Sequence, residues 1–183
     1  STMQVGDQFN VLATPGTLPG FQQIATASTT SGYETTIDSE WTGYSNPGAL
    51  SVIITPEWSF TNNVLDNHPL GVWYDPWNGL WTIYHEDLSP IQVGEIFNLY
   101  IDAYDPGSYN HVTIATADSS GYACTSLINS ATSPANNMFF LSHIYTNGYI
   151  TGVTGIWFTG SQWCVFESGQ AIPVGTKFFL HTA

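Results

Sequence analysis

The chain has no arginine and a single lysine, Lys177, against fourteen acidic residues, which leaves a formal charge of −13 at neutral pH. Nucleic acid, anionic membranes and phosphate-rich ligands are recognised through cationic side chains, so this deficit excludes those partner classes. Long hydrophobic runs are also missing. None approaches the ~20 residues that span a bilayer, the apolar stretch at residues 138–141 being soon interrupted, and membrane insertion is not expected. Asn-X-Ser/Thr sequons are absent, so N-glycosylation is not indicated. No signal peptide is recognisable, and a start at Ser1 rather than Met fits a processed form or an expression remnant equally.

With 43% apolar residues in 183, the chain can bury a core of one ordinary domain or two small ones. Its polarity comes from Ser, Thr, Asn, Gln and Gly, and aromatics reach 15%. That mixture is common outside the cell. Trypsin-like proteases would find only the bond after Lys177.

Internal repetition organises the sequence. Ile24–Ala27 and Ser31–Tyr33 match Ile114–Ala117 and Ser120–Tyr122; Gly71–Trp73 matches Gly155–Trp157; Trp81–Tyr84 matches Trp163–Phe166. The offset falls from 90 to 81 along the chain, as a few loop deletions in the second copy would produce. A Val-Gly-x-x-Phe segment closes each copy, at residues 93–97 and 174–178, and occurs a third time at Val5, Gly6 and Phe9, running on to Val11. Short segments rich in Val, Ile, Tyr, Phe and Trp are punctuated by turn sequences such as Asn78-Gly79 and Asp105-Pro-Gly107, and no amphipathic helical pattern of useful length appears. The expected fold is all-β: two tandem β-sandwich-like or partly closed barrel repeats, 13–103 and 104–183, or one larger sandwich with internal pseudo-symmetry. Residues 1–12 are read as an additional strand, an extra copy of the repeat's closing strand.

Both cysteines, Cys124 and Cys164, lie in the second copy and align with Thr35 and Thr82 of the first. A joint change of this kind suggests neighbours, so a disulfide is expected. In the chain-entropy model it would contribute on the order of 4 kcal/mol, and it implies an oxidising compartment. Aromatics that recur, Trp73/Trp157, Trp81/Trp163 and Phe97/Phe178, read as core packing. Trp77, Trp41 and Trp58 have no counterpart in that alignment; with Asp75 and Asn78 of the hairpin turn they are the candidate ligand or subunit contacts.

His85-Glu86-Asp87 is the one place where an imidazole and two carboxylates cluster in sequence, and it reads as a solvated loop. The histidines at 68, 85, 111, 143 and 181 show no close-spaced zinc pattern, and no calcium-loop sequence is present. No metal or cofactor is assigned on this basis, although loop carboxylates such as Asp75, Asp87, Asp102 and Asp105 leave Ca²⁺ open on charge alone. No nucleophile elbow or activated cysteine is visible, and an enzyme is not expected.

His68–Tyr74, Trp81–Tyr84 and Pro90–Asn98 together resemble a repeat found in tandem in secreted bacterial proteins of uncharacterised function, and Phe178–Ala183 is similar to the junction where a further repeat would start. The likeness covers the first copy well and the second loosely, since His68-Pro69 becomes Gly152-Val153. The resemblance implies an extracellular or cell-surface β module with no assigned chemistry. Two readings follow. In the first, the chain is a non-enzymatic structural protein that self-associates into a surface filament, matrix or adhesive layer, with Val5, Gly6, Phe9 and Val11 adding as a strand to a neighbour. In the other it is a carbohydrate-binding module or lectin with two related binding faces, whose partners are glycans.

Overall fold

A computed structural model describes residues 5, 11, 20–37, 50–58, 64–103, 111–114, 139–146, 148–158 and 163–182. Among these residues there are twelve strands and no helix. The first repeat supplies β1 (Gly20–Ile24), β2 (Thr30–Ser31), β3 (Glu34–Thr36), β4 (Leu50–Glu57), β5 (Leu70–Asp75), β6 (Leu80–His85) and β7 (Ile96–Ala103). The second supplies β8 (His111–Ile114), β9 (Phe139–Ile144), β10 (Thr154–Phe158), β11 (Trp163–Glu167) and β12 (Lys177–Thr182).

The Val-Gly pair that recurs through the sequence is a turn rather than the head of a strand. Gly94 and Gly175 have φ of 100° and 92°, and the residues after them, Glu95 and Thr176, donate their N–H to Gln92 O (3.1 Å) and Pro173 O (3.2 Å). A four-residue turn with positive φ at its third position favours glycine there. Two residues after the turn ends, Phe97 and Phe178 are both fully buried. The motif therefore encodes reversal followed by an anchor.

Pairing repeats along with sequence. Strand order β1-β7-β4 in the first repeat becomes β8-β12-β9 in the second, all antiparallel, and the expected hairpins are the pairs β5–β6 and β10–β11. The two repeats do not form separate sandwiches. β9 pairs in parallel with β5, Gly71 opposite His143 and Val72 opposite Ile144, and Tyr145 N–H donates to Val72 O at 2.9 Å. The hairpin sheet of the first repeat and the closing sheet of the second thereby merge into one sheet of order β2-β3-β6-β5-β9-β12-β8.

Because strand side chains alternate in direction, a central strand can be anchored on both faces. β12 is: Phe179 packs into the large core with Val72, Trp81, Ile83 and Phe97, whereas Phe178 and Leu180 join the smaller clusters around Val165 and Ile172 and around Phe139. The first of these cores lies under β1-β7-β4, the other two under β10–β11, giving three layers with no closed barrel among the described residues. Trp81, Phe97 and Phe178 are core residues as expected, but Trp73 and Trp163 are half-buried and Trp157 is exposed.

Phe179 belongs to the second repeat and meets Trp81 of the first edge-on, with ring centroids 5.4 Å apart. Phe179→Ala should cost about 3–5 kcal/mol. Chemical denaturation should show that loss as one transition for both repeats, not as early unfolding of the second alone.

Candidate functional site

β6 carries Tyr84 and, just past its end, Glu86 to the line where the repeats meet. The Tyr84 hydroxyl donates to Glu86 Oε1 at 3.0 Å and stands 3.0 Å from His143 Nδ1 of β9. His143 Nδ1 also bonds to Glu86 Oε1, and the Ile150 N–H donates to Glu86 Oε2 at 2.8 Å. All three side chains are buried. Two of the partners of Glu86 come from the second repeat, so this carboxylate fixes how the repeats register. Burial and the neighbouring Glu86 push the Tyr84 phenol well above its ordinary pKa, so it remains a donor.

Gly71 makes this contact possible. A Cβ there would collide with the Tyr84 ring and the Glu86 carboxylate, which lie across β5 at that point. Gly155 plays the same part beneath Phe166 in the second repeat.

On the same junction Tyr33, Glu34, Trp73, Tyr84, Tyr145 and Tyr149 line a cavity of about 150 Å³. Tyr84 meets Tyr145 and Tyr149 edge-on, with centroids 5.9 and 6.0 Å apart, and Tyr145 tilts against Tyr149 at 5.2 Å. The Trp73 indole N–H is buried with no hydrogen-bond partner. Burial raises the Glu34 carboxyl, with Asp75 nearby adding to the shift. The Tyr145 pKa is raised by its hydrogen bond to Tyr149, and that of Tyr149 by burial and then by Tyr33. Aromatic faces, phenol groups and one carboxyl line one small concavity, the combination that holds an amphipathic ring.

The expected site residues are dispersed. Trp77 is 85% exposed at the tip of the β5–β6 hairpin. Asp75 is buried and builds that turn, accepting from Trp77 N–H (2.8 Å), Asn78 N–H (3.4 Å) and the Asn78 side-chain amide. Burial pushes the Asp75 carboxyl up, but these hydrogen bonds outweigh it and hold the pKa below its ordinary value. Its lone pairs serve the turn. Trp58 ends β4 and so lies in a different sheet from Trp77. Trp41, Gly6, Phe9 and Cys124 lie outside the described residues, as does Asp105. Cys164 is fully buried in β11, and Thr35 and Thr82 occupy the neighbouring strands β3 and β6 one residue apart in register.

His85-Glu86-Asp87 requires a correction. His85 and Glu86 are fully buried, and only Asp87 is exposed as a loop residue would be. Asp87 bonds to His68 Nδ1 at 2.7 Å and to Ser89, which against the effect of burial hold its pKa at about 2. The aromatic cavity and the Glu86–His143 contact were both missed by sequence reasoning. Their signal lay in differences between the copies: Tyr84 becomes Phe166 and Glu86 becomes Ser168, so the phenol hydroxyl and the carboxylate are lost together.

No curated protein and no solved structure matches the chain. One family model matches it twice, over residues 1–101 and 77–181, and its description is Domain of unknown function (DUF7452). The shared stretch holds β6 and most of β7, so each matched unit carries a Val-Gly-x-x-Phe segment near both ends, and three such segments bound two units. The chain belongs to the DUF7452 family and contains two overlapping copies of its domain.

Proposed function

We propose that this is a non-enzymatic extracellular structural protein, a self-associating subunit of a surface filament, matrix or adhesive layer. The observation that carries the reading is Val11. Its counterparts in the later copies, Leu99 and Leu180, are 3% and 0% exposed, whereas Val11 is 73% exposed. An apolar residue that its own chain leaves in water can be buried by a neighbouring subunit. β10 offers an acceptor: it is the equivalent of β5, and among the described residues no strand lies beside it as β9 lies beside β5. Trp58 and Trp157, exposed at the two ends of the stack, supply apolar area for the same contact. A Cys124–Cys164 bridge belongs to this reading, as does the secreted origin that the sequence resemblance implies.

A second reading, glycan binding, draws support from the aromatic cavity with Glu34 at its wall. Its occupant would be a saccharide ring stacked on the junction tyrosines.

Deleting residues 1–12 should leave a folded monomer by circular dichroism and abolish concentration-dependent assembly by sedimentation velocity and negative-stain imaging. Assembly that persists without them removes the N-terminal segment from the interface. For the second reading, Tyr145→Ala should weaken binding to any glycan retained on an array by roughly tenfold or more, about 1–3 kcal/mol for a lost stacking face. Unchanged binding would locate glycan recognition elsewhere. The bridge is checked by intact mass before and after reduction, which should show two hydrogens gained on reduction and no free thiol beforehand.

A further inference from the structure

Three buried groups of the first repeat face one another. Asp66, His85 and Glu95 come from the segment before β5, the end of β6 and the turn before β7, and each is at least nine-tenths buried. His85 Nε2 lies 3.5 Å from Asp66 Oδ1 and 3.4 Å from Glu95 Oε2, and one donor atom from each residue falls within 4.8 Å of the others. His85 Nε2, Asp66 Oδ2 and Glu95 Oε2 have no hydrogen-bond partner.

Each group is nevertheless held from behind. His85 Nδ1 donates to Ser89 O at 2.8 Å, Asp66 Oδ1 accepts the His68 N–H at 2.8 Å, and Glu95 Oε1 accepts the Gln92 N–H at 3.0 Å. With its proton on Nδ1, a neutral His85 turns the Nε2 lone pair toward two carboxylates. Lone pairs meeting in a buried space repel unless a cation lies between them. Burial disfavours the imidazolium, but Asp66, the Ser89 carbonyl and Glu95 outweigh it and raise the His85 pKa; an imidazolium N–H would face those oxygens at 3.5 and 3.4 Å without hydrogen-bond geometry. Back-bonding of a ligand imidazole to a backbone carbonyl is instead the usual support of a metal site.

The spacing agrees. An ion bound tetrahedrally at the usual zinc–nitrogen and zinc–oxygen distances keeps its donors about 3.3–3.4 Å apart, close to the two His85 separations. One imidazole with two carboxylates suits borderline first-row ions better than Ca²⁺, which takes oxygen ligands. Leu88, three residues after His85, holds φ of 63°, a left-handed conformation costly for a bulky side chain; in the second repeat the positive φ falls on Gly169, two residues after Glu167. The second repeat does not rebuild the cluster. Glu167 replaces His85 and is satisfied by the Gly152 N–H and the Gln170 amide, and Thr176 replaces Glu95.

We propose that Asp66, His85 and Glu95 bind one divalent first-row transition metal of the zinc class per chain, on the first repeat only. The full-length protein, stripped with chelator and desalted, should retain one zinc per chain by elemental analysis after reloading. Its thermal midpoint should rise by about 5–10 °C at zinc a hundredfold above the dissociation constant. Glu95→Gln and Asp66→Asn should each weaken binding by at least about a hundredfold. Because either variant can disturb folding, histidine-ring NMR of the wild type gives an independent readout, with the His85 resonances the ones that shift on zinc addition. The proposal is overturned by no retention in the wild type, by equal retention in both folded variants, by zinc shifts confined to other histidines, or by saturable stabilisation with Ca²⁺ and none with Zn²⁺.

Discussion

The join between the repeats depends on the absence of a side chain at Gly71. With no Cβ there, Tyr84 and Glu86 lie flat across β5, and the Glu86 carboxylate reaches His143 and the Ile150 N–H of the second repeat. β5 and β9 can then approach to pairing distance and the two sheets become one. A buried carboxylate that accepts from a phenol, an imidazole and a backbone amide is costly to break and gains little as an isolated interaction, so its contribution is to register rather than to bulk stability. Apolar burial of β12 on both faces supplies the stability that the polar contact does not.

Equivalent positions show that the two repeats are not interchangeable links. Registers place Asn98, Thr55 and Glu57 of the outer sheet where the middle sheet has Phe179, Ser142 and Ile144. Asn98 and Thr55 are exposed, and Glu57 accepts from the exposed Gln22 at 2.7 Å, whereas Phe179 is in the core and Ser142 accepts the Ile54 N–H at 2.9 Å. A solvated outer face of this kind ends a stack of repeats. Pro56 also stands in the place of His143, and proline offers no N–H to a strand arriving at β4 as β9 arrives at β5. That edge is blunted. In the proposed assembly, strand addition would therefore fall to the β10 end and to an incoming apolar segment, the part proposed for the N-terminal copy.

Much of the fold was legible because it rests on local chemistry. The Asn78-Gly79 turn, the recurring aromatic anchors and the hairpins were visible in the alignment of the copies, whereas the recurring Val-Gly pair, read as strand, is a turn. The parallel β5–β9 pairing was not, since nothing in a strand's own residues names a partner roughly seventy positions away. The site was less legible for a related reason. Tyr33, Trp73, Tyr145 and Tyr149 are far apart in sequence and become one cavity only when the sheets merge. His85-Glu86-Asp87 was misread as a loop because polar residues after a strand usually face water; here the β6 end runs under the junction, and its first two members are taken inside.

The lack of cations constrains how any carboxylate can be buried in this chain. With no arginine and only Lys177, an inward-facing acid must be satisfied by polar donors of the fold, its histidines included, or by an ion brought in from solution. Glu86 takes the first course through Tyr84, His143 and a backbone amide, and Glu167 takes it through Gly152 and Gln170. Asp66 and Glu95 each have one oxygen on a backbone amide and one without a hydrogen bond, and both carboxylates flank the same imidazole nitrogen, Asp66 through the amide-bonded Oδ1 and Glu95 through the unbonded Oε2. Other buried acids in the first repeat find their donors within the protein, as Asp75 does in its turn. Asp66 and Glu95 each keep one oxygen without such a donor, beside an imidazole that the second copy lacks, and the proposed guest cation is what would satisfy them.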